Sequence, residues 1–252
     1  MIQSGLNKSA IQYIAIIAMV LDHAAVFINY YPAYFICHLF GRMTIVIMSF
    51  FVAEGYYKTS NVYKYIIRMG VFAAISQLPF YLFEIGAKGM PDSLYHFITG
   101  CAMNRNVIFT LFTGLCLLTV LKAENVKLLI KLIACAGAIY ITRCSDWKYF
   151  CLLWVVSFGM LRGNRYAQMT AAGGIVILRF LTYVYPIFPA FAETGVIHVN
   201  TILNAIMQLG GFLAIPVLYM YNGEKGCAPR LGFYVFYPAH LLLLAAIEFT
   251  VF

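Results

Sequence analysis

The stretch AIQYIAIIAMVLDHAAVFINY, residues 10–30, decides the fold. It is long and apolar enough to cross a ~30 Å hydrocarbon core as a helix, which takes about 20 residues. Its one acid and one histidine, Asp22 and His23, stand side by side near its middle. A carboxylate facing lipid at that depth costs at least ~2.5–3.5 kcal/mol. Such a pair persists where it is shielded, paired or used. Imidazole is the side chain best suited to move a proton near neutral pH. Two readings follow: an active site inside a membrane protein, or a polar pair that holds helices together.

Composition extends this reading to the whole chain. Of 252 residues, 63% are hydrophobic and 10% charged, against about 25% charged in a soluble domain. A water-soluble fold cannot hide that much apolar surface. The expectation is an all-α, polytopic membrane bundle forming one integral-membrane domain over residues 1–252. With no separate globular domain, any chemistry must be built from helices and short loops. Aromatics make up 17%, and Tyr30-Tyr31, Tyr56-Tyr57 and Tyr183/Tyr185 suit interfacial belts. The seven cysteines show neither CxxC nor a Cys/His metal spacing, so no metal is expected. Cys37, Cys101 and Cys144 fall near one predicted face, which leaves a disulfide open there. The opening MIQSGLNKSA leads into Asp22-His23 rather than a small-residue cleavage site, and reads as the start of an uncleaved first span.

Nine segments qualify as spans, with a range of eight to ten: 10–30, 34–57, 63–85, 107–121, 126–142, 149–161, 166–185, 201–221 and 231–251. The fourth and sixth are short, as helices surrounded by other helices can be. Alternate loops carry Lys8, Lys58, Lys64, Arg68, Lys122, Lys127, Lys131, Arg162, Arg165, Lys225 and Arg230 on one side. Lys88, Arg105, Arg143 and Lys148 lie on the other. By the positive-inside rule the N-terminus is cytoplasmic. The net charge of +8 is therefore mostly a topology signal and no sign of nucleic-acid binding. The longest outer loops are 86–105 and 186–200, and the halves show no matched Gly/Pro breaks of the inverted-repeat transporter kind.

At 1.5 Å per residue, His23 and His240 lie about 20 and 14 Å from the inner ends of their spans and Arg42 about 12 Å from the outer end of its span, close to mid-depth. Arg42 shares a helix face with Ser49 but not with Glu54, so its natural partner lies elsewhere, and Asp22 is the candidate. Arg42 reads as an anion stabiliser or as half of a buried ion pair; Glu54 reads as catalytic or as a snorkelling residue. Asn106, Thr110 and Thr113 form a polar stripe that faces either a cavity or other helices. Gln77 precedes Pro79, and His240 follows Pro238; proline frees a backbone carbonyl and bends the helix. His38, His96 and His198 fall near the outer face without metal spacing and read as surface or loop histidines.

These residues recur in a known order. The motifs are Asp22-His23, Gly41-Arg42, Glu54-Gly55 and Lys58-Thr59-Ser60-Asn61 through Arg68. They continue with SQLPF at 76–80, NVIFT at 106–110, Asp146-Trp147, YNGEKG at 221–226 and FYVFYPAHLLLL at 233–244. Together they resemble the TraX family of membrane proteins, associated with N-terminal acetylation of conjugative pilin. That family is in turn similar to the larger superfamily of transmembrane acyltransferases. The family more often shows an apolar-proline sequence where this chain has Met43-Thr44-Ile45.

The resemblance implies a multi-pass protein of the bacterial cytoplasmic membrane that takes acetyl from cytoplasmic acetyl-CoA. The acceptor would be an amine or hydroxyl on a pilin-like peptide or a cell-surface glycan. It implies His23 as general base or acyl carrier, Asp22 as its orienting partner, and Arg42 or His240 as the group that stabilises the intermediate. Lys58, Lys64 and Arg68 would attract the coenzyme A phosphates, and Glu54, Gln77, Asn106 and Thr110 would line the substrate site. From the residues alone, a proton-coupled transporter or flippase path stays open beside the acyltransferase.

Overall fold

A computed structural model of the chain describes residues 5–86, 91–227 and 232–251. Residues 1–4, Lys88, Arg230 and Leu231 among those weighed above lie outside the described residues. The described chain is all helix: α1 (Lys8–Ala24), α2 (Tyr31–Gly41), α3 (Met43–Lys58), α4 (Val62–Ile75), α5 (Gln77–Gly86), α6 (Leu94–Met103), α7 (Val107–Lys122), α8 (Leu128–Thr142), α9 (Lys148–Met160), α10 (Arg165–Val184), α11 (Ile187–Thr194), α12 (Val199–Met207), α13 (Ala214–Tyr219) and α14 (Gly232–Val251). Among the described residues five segments are long and apolar enough to cross a membrane: Lys8–Phe27, Tyr31–Lys58, Val62–Gly86, Arg165–Thr194 and Val199–Tyr219. Four shorter apolar helices, Val107–Lys122, Leu128–Thr142, Lys148–Met160 and Tyr234–Thr250, complete the set. These nine correspond one for one to the segments read from the sequence. All seven cysteines are free thiols.

The breaks fall where the sequence weakens the helix. The second span is interrupted at Arg42, between α2 and α3. The third breaks at Ser76, and Pro79 sits in the first turn of α5, where a missing N–H costs little. Pro238 instead lies inside the unbroken α14. The two long loops, 86–105 and 186–200, contain the helices α6 and α11, which the sequence reading left as loops. Each exposes large apolar residues, Leu94, Tyr95 and Ile98 on α6 and Phe188 and Phe191 on α11. Such short helices suit the lipid interface.

The chain divides into two compact units, residues 1–48 with 161–227 and residues 49–160 with 228–252; the division falls within α3. In the first unit α1 packs on α2, and α10 packs on α12, α13 and the 3₁₀ turn Gln208–Leu213. Ile11, Ala15 and Ala18 are buried along α1 and Ala25 at its C-cap, all at helical spacing, and Asp22 lies on that stripe. Its small residues let a neighbouring helix come close. The segment 221–226 clamps the start of α1. Lys8 N donates to the Glu224 carbonyl (2.8 Å) and Ser9 Oγ to the Lys225 carbonyl (2.9 Å). Gly226, at φ +72°, lies so near Asn7 and Ser9 that a side chain there would collide with both. Arg165 holds the other end, donating to the Tyr219 and Tyr221 carbonyls (2.9 and 2.8 Å). Arg179, basic and within a span, is buried and donates through Nε to Gln208 Oε1 (2.8 Å).

In the second unit α7 is the central helix, packed by α4, α8 and α9, while α14 packs on α5. Ile108, Leu111, Leu115 and Leu118 are buried along one face of α7, and Thr110, Thr113 and Leu117 widen the buried surface to more than half of the helix. Trp154 and Phe158 fill the core from α9. The two spans that looked short are thus these two buried ones. By contrast, α8 exposes Leu128, Leu129, Ile133 and Tyr140, as a lipid-facing helix does.

Gly210 gives the first unit a sharp test. A Cβ there would run into the backbone carbonyl of Leu39 on α2, which cannot swing away as a side chain can. Gly210→Ala is expected to destabilise by at least ~1–3 kcal/mol, read as a lower melting midpoint in detergent. Gly137→Ala, which meets nothing within 4 Å, is the control expected to change little.

Candidate functional site

The acid of the first span finds its partners on the second. His38 Nδ1–H donates to Asp22 Oδ1 at 2.6 Å, and Arg42 Nη1 stands 3.8 Å from Asp22 Oδ2. His38 and Arg42 are four residues apart, so they share one face of the turn that runs from α2 through its cap and both reach the same carboxylate. The three side chains are mostly buried, with 15–20% of each exposed. The close approach depends on Gly41, whose hypothetical Cβ would overlap the Asp22 side chain. The Gly-Arg pair thus combines the gap that admits the carboxylate with the cation that faces it. Thr44, the second residue of α3, donates to the Ala15 carbonyl (3.1 Å) and ties the same two spans together.

Asp22–Arg42 is the pairing expected from helix geometry. His38 was missed. Read as an outer-face histidine, it is the imidazole that Asp22 binds; the signal was its i, i+4 relation to Arg42. A carboxylate accepting from Nδ1–H fixes the tautomer and leaves Nε2 as the basic nitrogen. That Nε2 makes no hydrogen bond among the described residues. The ring edge of Tyr34 meets the imidazole at 4.3 Å between centroids and restrains it further. His23 is half-buried beside Asp22 and, with His38 and Arg42, acts on it electrostatically.

The other residues singled out from the sequence belong to the second unit. Asn106 caps α7 through Oδ1, accepting from Phe109 N (3.0 Å). Its amide donates to the Ala73 carbonyl and to Gln77 Oε1, both at 2.8 Å. Gln77 in turn donates to the carbonyls of Cys101 (2.7 Å) and Asn104 (2.6 Å). Their capacity is committed to joining α4, α5, α6 and α7. Thr110 and Thr113 bond back to the carbonyls of Val107 and Phe109 within α7. His240 is buried in α14, its Nδ1 bonded to the Phe236 carbonyl (3.0 Å) and its ring stacked on Phe236. Glu54 pairs with Lys58 at 3.4 Å. Lys64 and Arg68 are exposed on successive turns of α4, with Arg68 over the rings of Tyr65 and Tyr234. Among the described residues no group of three or more metal-binding side chains occurs.

A bundle of membrane-spanning helices with a carboxylate–imidazole–guanidinium cluster inside its first two spans defines a class: polytopic membrane proteins with polar chemistry at depth. This chain belongs to the TraX family, described as TraX protein, which it matches over residues 7–248. It is also similar to a probable fimbrial assembly protein FimC, serogroup H1, of Dichelobacter nodosus. The two are 29% identical over 244 residues, which cover 94% of this chain and 93% of that protein. No solved structure matches the chain significantly.

Two substitutions separate the cluster from the scaffold. Gly41→Ala is expected to push α2 away from Asp22 and to lower the melting midpoint, with the loss reduced in Gly41→Ala/Asp22→Ala, which removes the obstructing carboxylate. Asn106→Ala strands buried donors and acceptors and is expected to cost ~1–3 kcal/mol per unsatisfied group, read by thermal unfolding.

Proposed function

We propose that this membrane protein is an acyltransferase that moves an acetyl group from acetyl-CoA to an amine or hydroxyl acceptor. The observation that carries this reading is the Asp22–His38 hydrogen bond inside apolar helices, with Nε2 of the imidazole unbonded among the described residues and a guanidinium near the other carboxylate oxygen. His38 Nε2 removes a proton from the acceptor N–H or O–H as the acceptor attacks the thioester carbonyl. The new C–N or C–O bond forms, and the oxygen of the tetrahedral intermediate becomes an anion that Arg42 stabilises. Collapse breaks the C–S bond, and the proton on His38 passes to the departing thiolate. Asp22 holds the tautomer and offsets the imidazolium while it exists. His23, next to Asp22, is the second imidazole of the site and the candidate acyl carrier.

Family membership supports the acyl-transfer chemistry by resemblance. The fimbrial name of the relative favours the amino terminus of a pilin or fimbrial subunit as acceptor over a cell-surface glycan. The proposed donor is cytoplasmic acetyl-CoA, its phosphates drawn to Lys64 and Arg68 and the membrane being the bacterial inner one. Lys58, already paired with Glu54, contributes less.

Reconstituted protein given radiolabelled acetyl-CoA and a pilin amino-terminal peptide should transfer label. His38→Ala and Asp22→Asn should each lower the rate by ~10²–10⁴ while the proteins melt cooperatively. Full activity in folded His38→Ala would remove it as the base; a loss confined to His23→Ala would return that role to His23. Lys64→Ala/Arg68→Ala should weaken acetyl-CoA binding without abolishing transfer at saturating donor.

A further inference from the structure

A cavity of about 230 Å³ opens in the second unit, between the end of α8, the start of α9 and the outer end of α5. Arg105, Arg143 and Lys148 bring three cations to its wall, and Glu84 and Asp146 bring two carboxylates. Ser145 lines it too. That residue is 5% exposed, and its Oγ is buried with no hydrogen-bond partner. A buried hydroxyl left unsatisfied costs about 1–3 kcal/mol, so a group that bonds it is favoured there.

Two of the cations are uncommitted. Arg143 stacks on the Tyr140 ring and Lys148 contributes only its backbone N–H, to the Ser145 carbonyl; neither has a carboxylate partner among the described residues. Arg105 is partly engaged, donating to the Ile141 carbonyl. Lys148 opens α9 at φ +47°, a conformation that non-glycine residues adopt rarely and mostly where surrounding structure imposes it. The first turn of a helix adds its own preference for negative charge.

We infer that this cavity binds a phosphoethanolamine group: a phosphate held by Arg143, Lys148 and the Ser145 hydroxyl, and a primary ammonium held by Glu84 and Asp146. Both charges of the ligand meet their opposites within one small space. A lone anion would face the two carboxylates. A trimethylammonium group has no N–H to give them. The setting favours a phospholipid as the carrier, because α8, which ends at Arg143, exposes Leu129, Ile133 and Tyr140 along its length and offers an apolar track for acyl chains. The inference is independent of the acyl-transfer reading and uses none of its residues.

The test is native mass spectrometry of the full-length protein, delipidated in detergent and offered equimolar phosphatidylethanolamine, phosphatidylglycerol and phosphatidylcholine. Wild type should retain phosphatidylethanolamine in preference to both others. Arg143→Ala/Lys148→Ala should lower that retention about tenfold, the loss of at least one charge-assisted hydrogen bond. Ser145→Ala should lower it less. Free O-phosphoethanolamine is the second probe. If it displaces the lipid at micromolar concentration, the group alone is recognised and a soluble or glycan-borne source is equally served. If it displaces only at millimolar concentration, the lipid is the source. Equal retention of the three lipids by wild type, or no binding of lipid or free headgroup, overturns the inference; the wild-type comparison stands even if a variant does not fold.

Discussion

The hydrogen bond from His38 to Asp22 is the constraint on which the first unit turns. An ionised carboxylate within an apolar helix is tolerable only when the opposing groups are already in place. Two helices must therefore meet at one depth and in one rotation. Ile11, Ala15 and Ala18 set the face of α1 that carries Asp22, and Gly41 clears the space on the opposite helix. The interruption at Arg42 follows that meeting point. On this view the Gly-Arg motif is geometric before it is chemical.

Polar side chains at depth in this protein are of two kinds. Gln77 and Asn106 spend their hydrogen bonds on the backbone and on each other and hold α4 through α7 in register, while Thr110 and Thr113 bond back within α7. Arg179 and Gln208 bond to each other in the first unit. The Asp22 cluster differs because it leaves one imidazole nitrogen without a hydrogen bond among the described residues. One carboxylate oxygen orients an imidazole, the other faces a guanidinium, and Nε2 of His38 points away from both bonds. Low dielectric around the pair strengthens each interaction and raises the cost of moving either partner. Such preorganisation suits a reaction in which negative charge appears on a substrate oxygen.

Much of this was legible in the sequence. Length and hydropathy of the apolar segments fixed all nine, because lipid demands a long uninterrupted apolar run and little else. The Asp22–Arg42 pairing followed from the period of the α-helix, which separates Arg42 from Glu54. His38 was lost for a physical reason: near a helix end, the sequence does not tell interface from interior. The i, i+4 relation to Arg42 carried the answer. The helices α6 and α11 were lost because ten or fewer apolar residues lie below the length that marks a span. His240 and Asn106 looked functional because a polar residue at depth is costly. The structure gives Asn106 the Ala73 carbonyl and the Gln77 side chain, and His240 Nδ1 the Phe236 carbonyl, partners that no sequence pattern reveals.

The central claim is that Asp22 fixes the tautomer of His38 and leaves Nε2 as the basic nitrogen. Its most direct measurement is the ¹⁵N spectrum of histidine-labelled protein in lipid nanodiscs, with His38 assigned by substitution. The account expects a neutral His38 that carries its proton on Nδ1, with a strongly downfield proton from the short bond to the carboxylate. Both features should be lost in Asp22→Asn. A wild-type His38 protonated on Nε2, or a spectrum unchanged by Asp22→Asn, would contradict it.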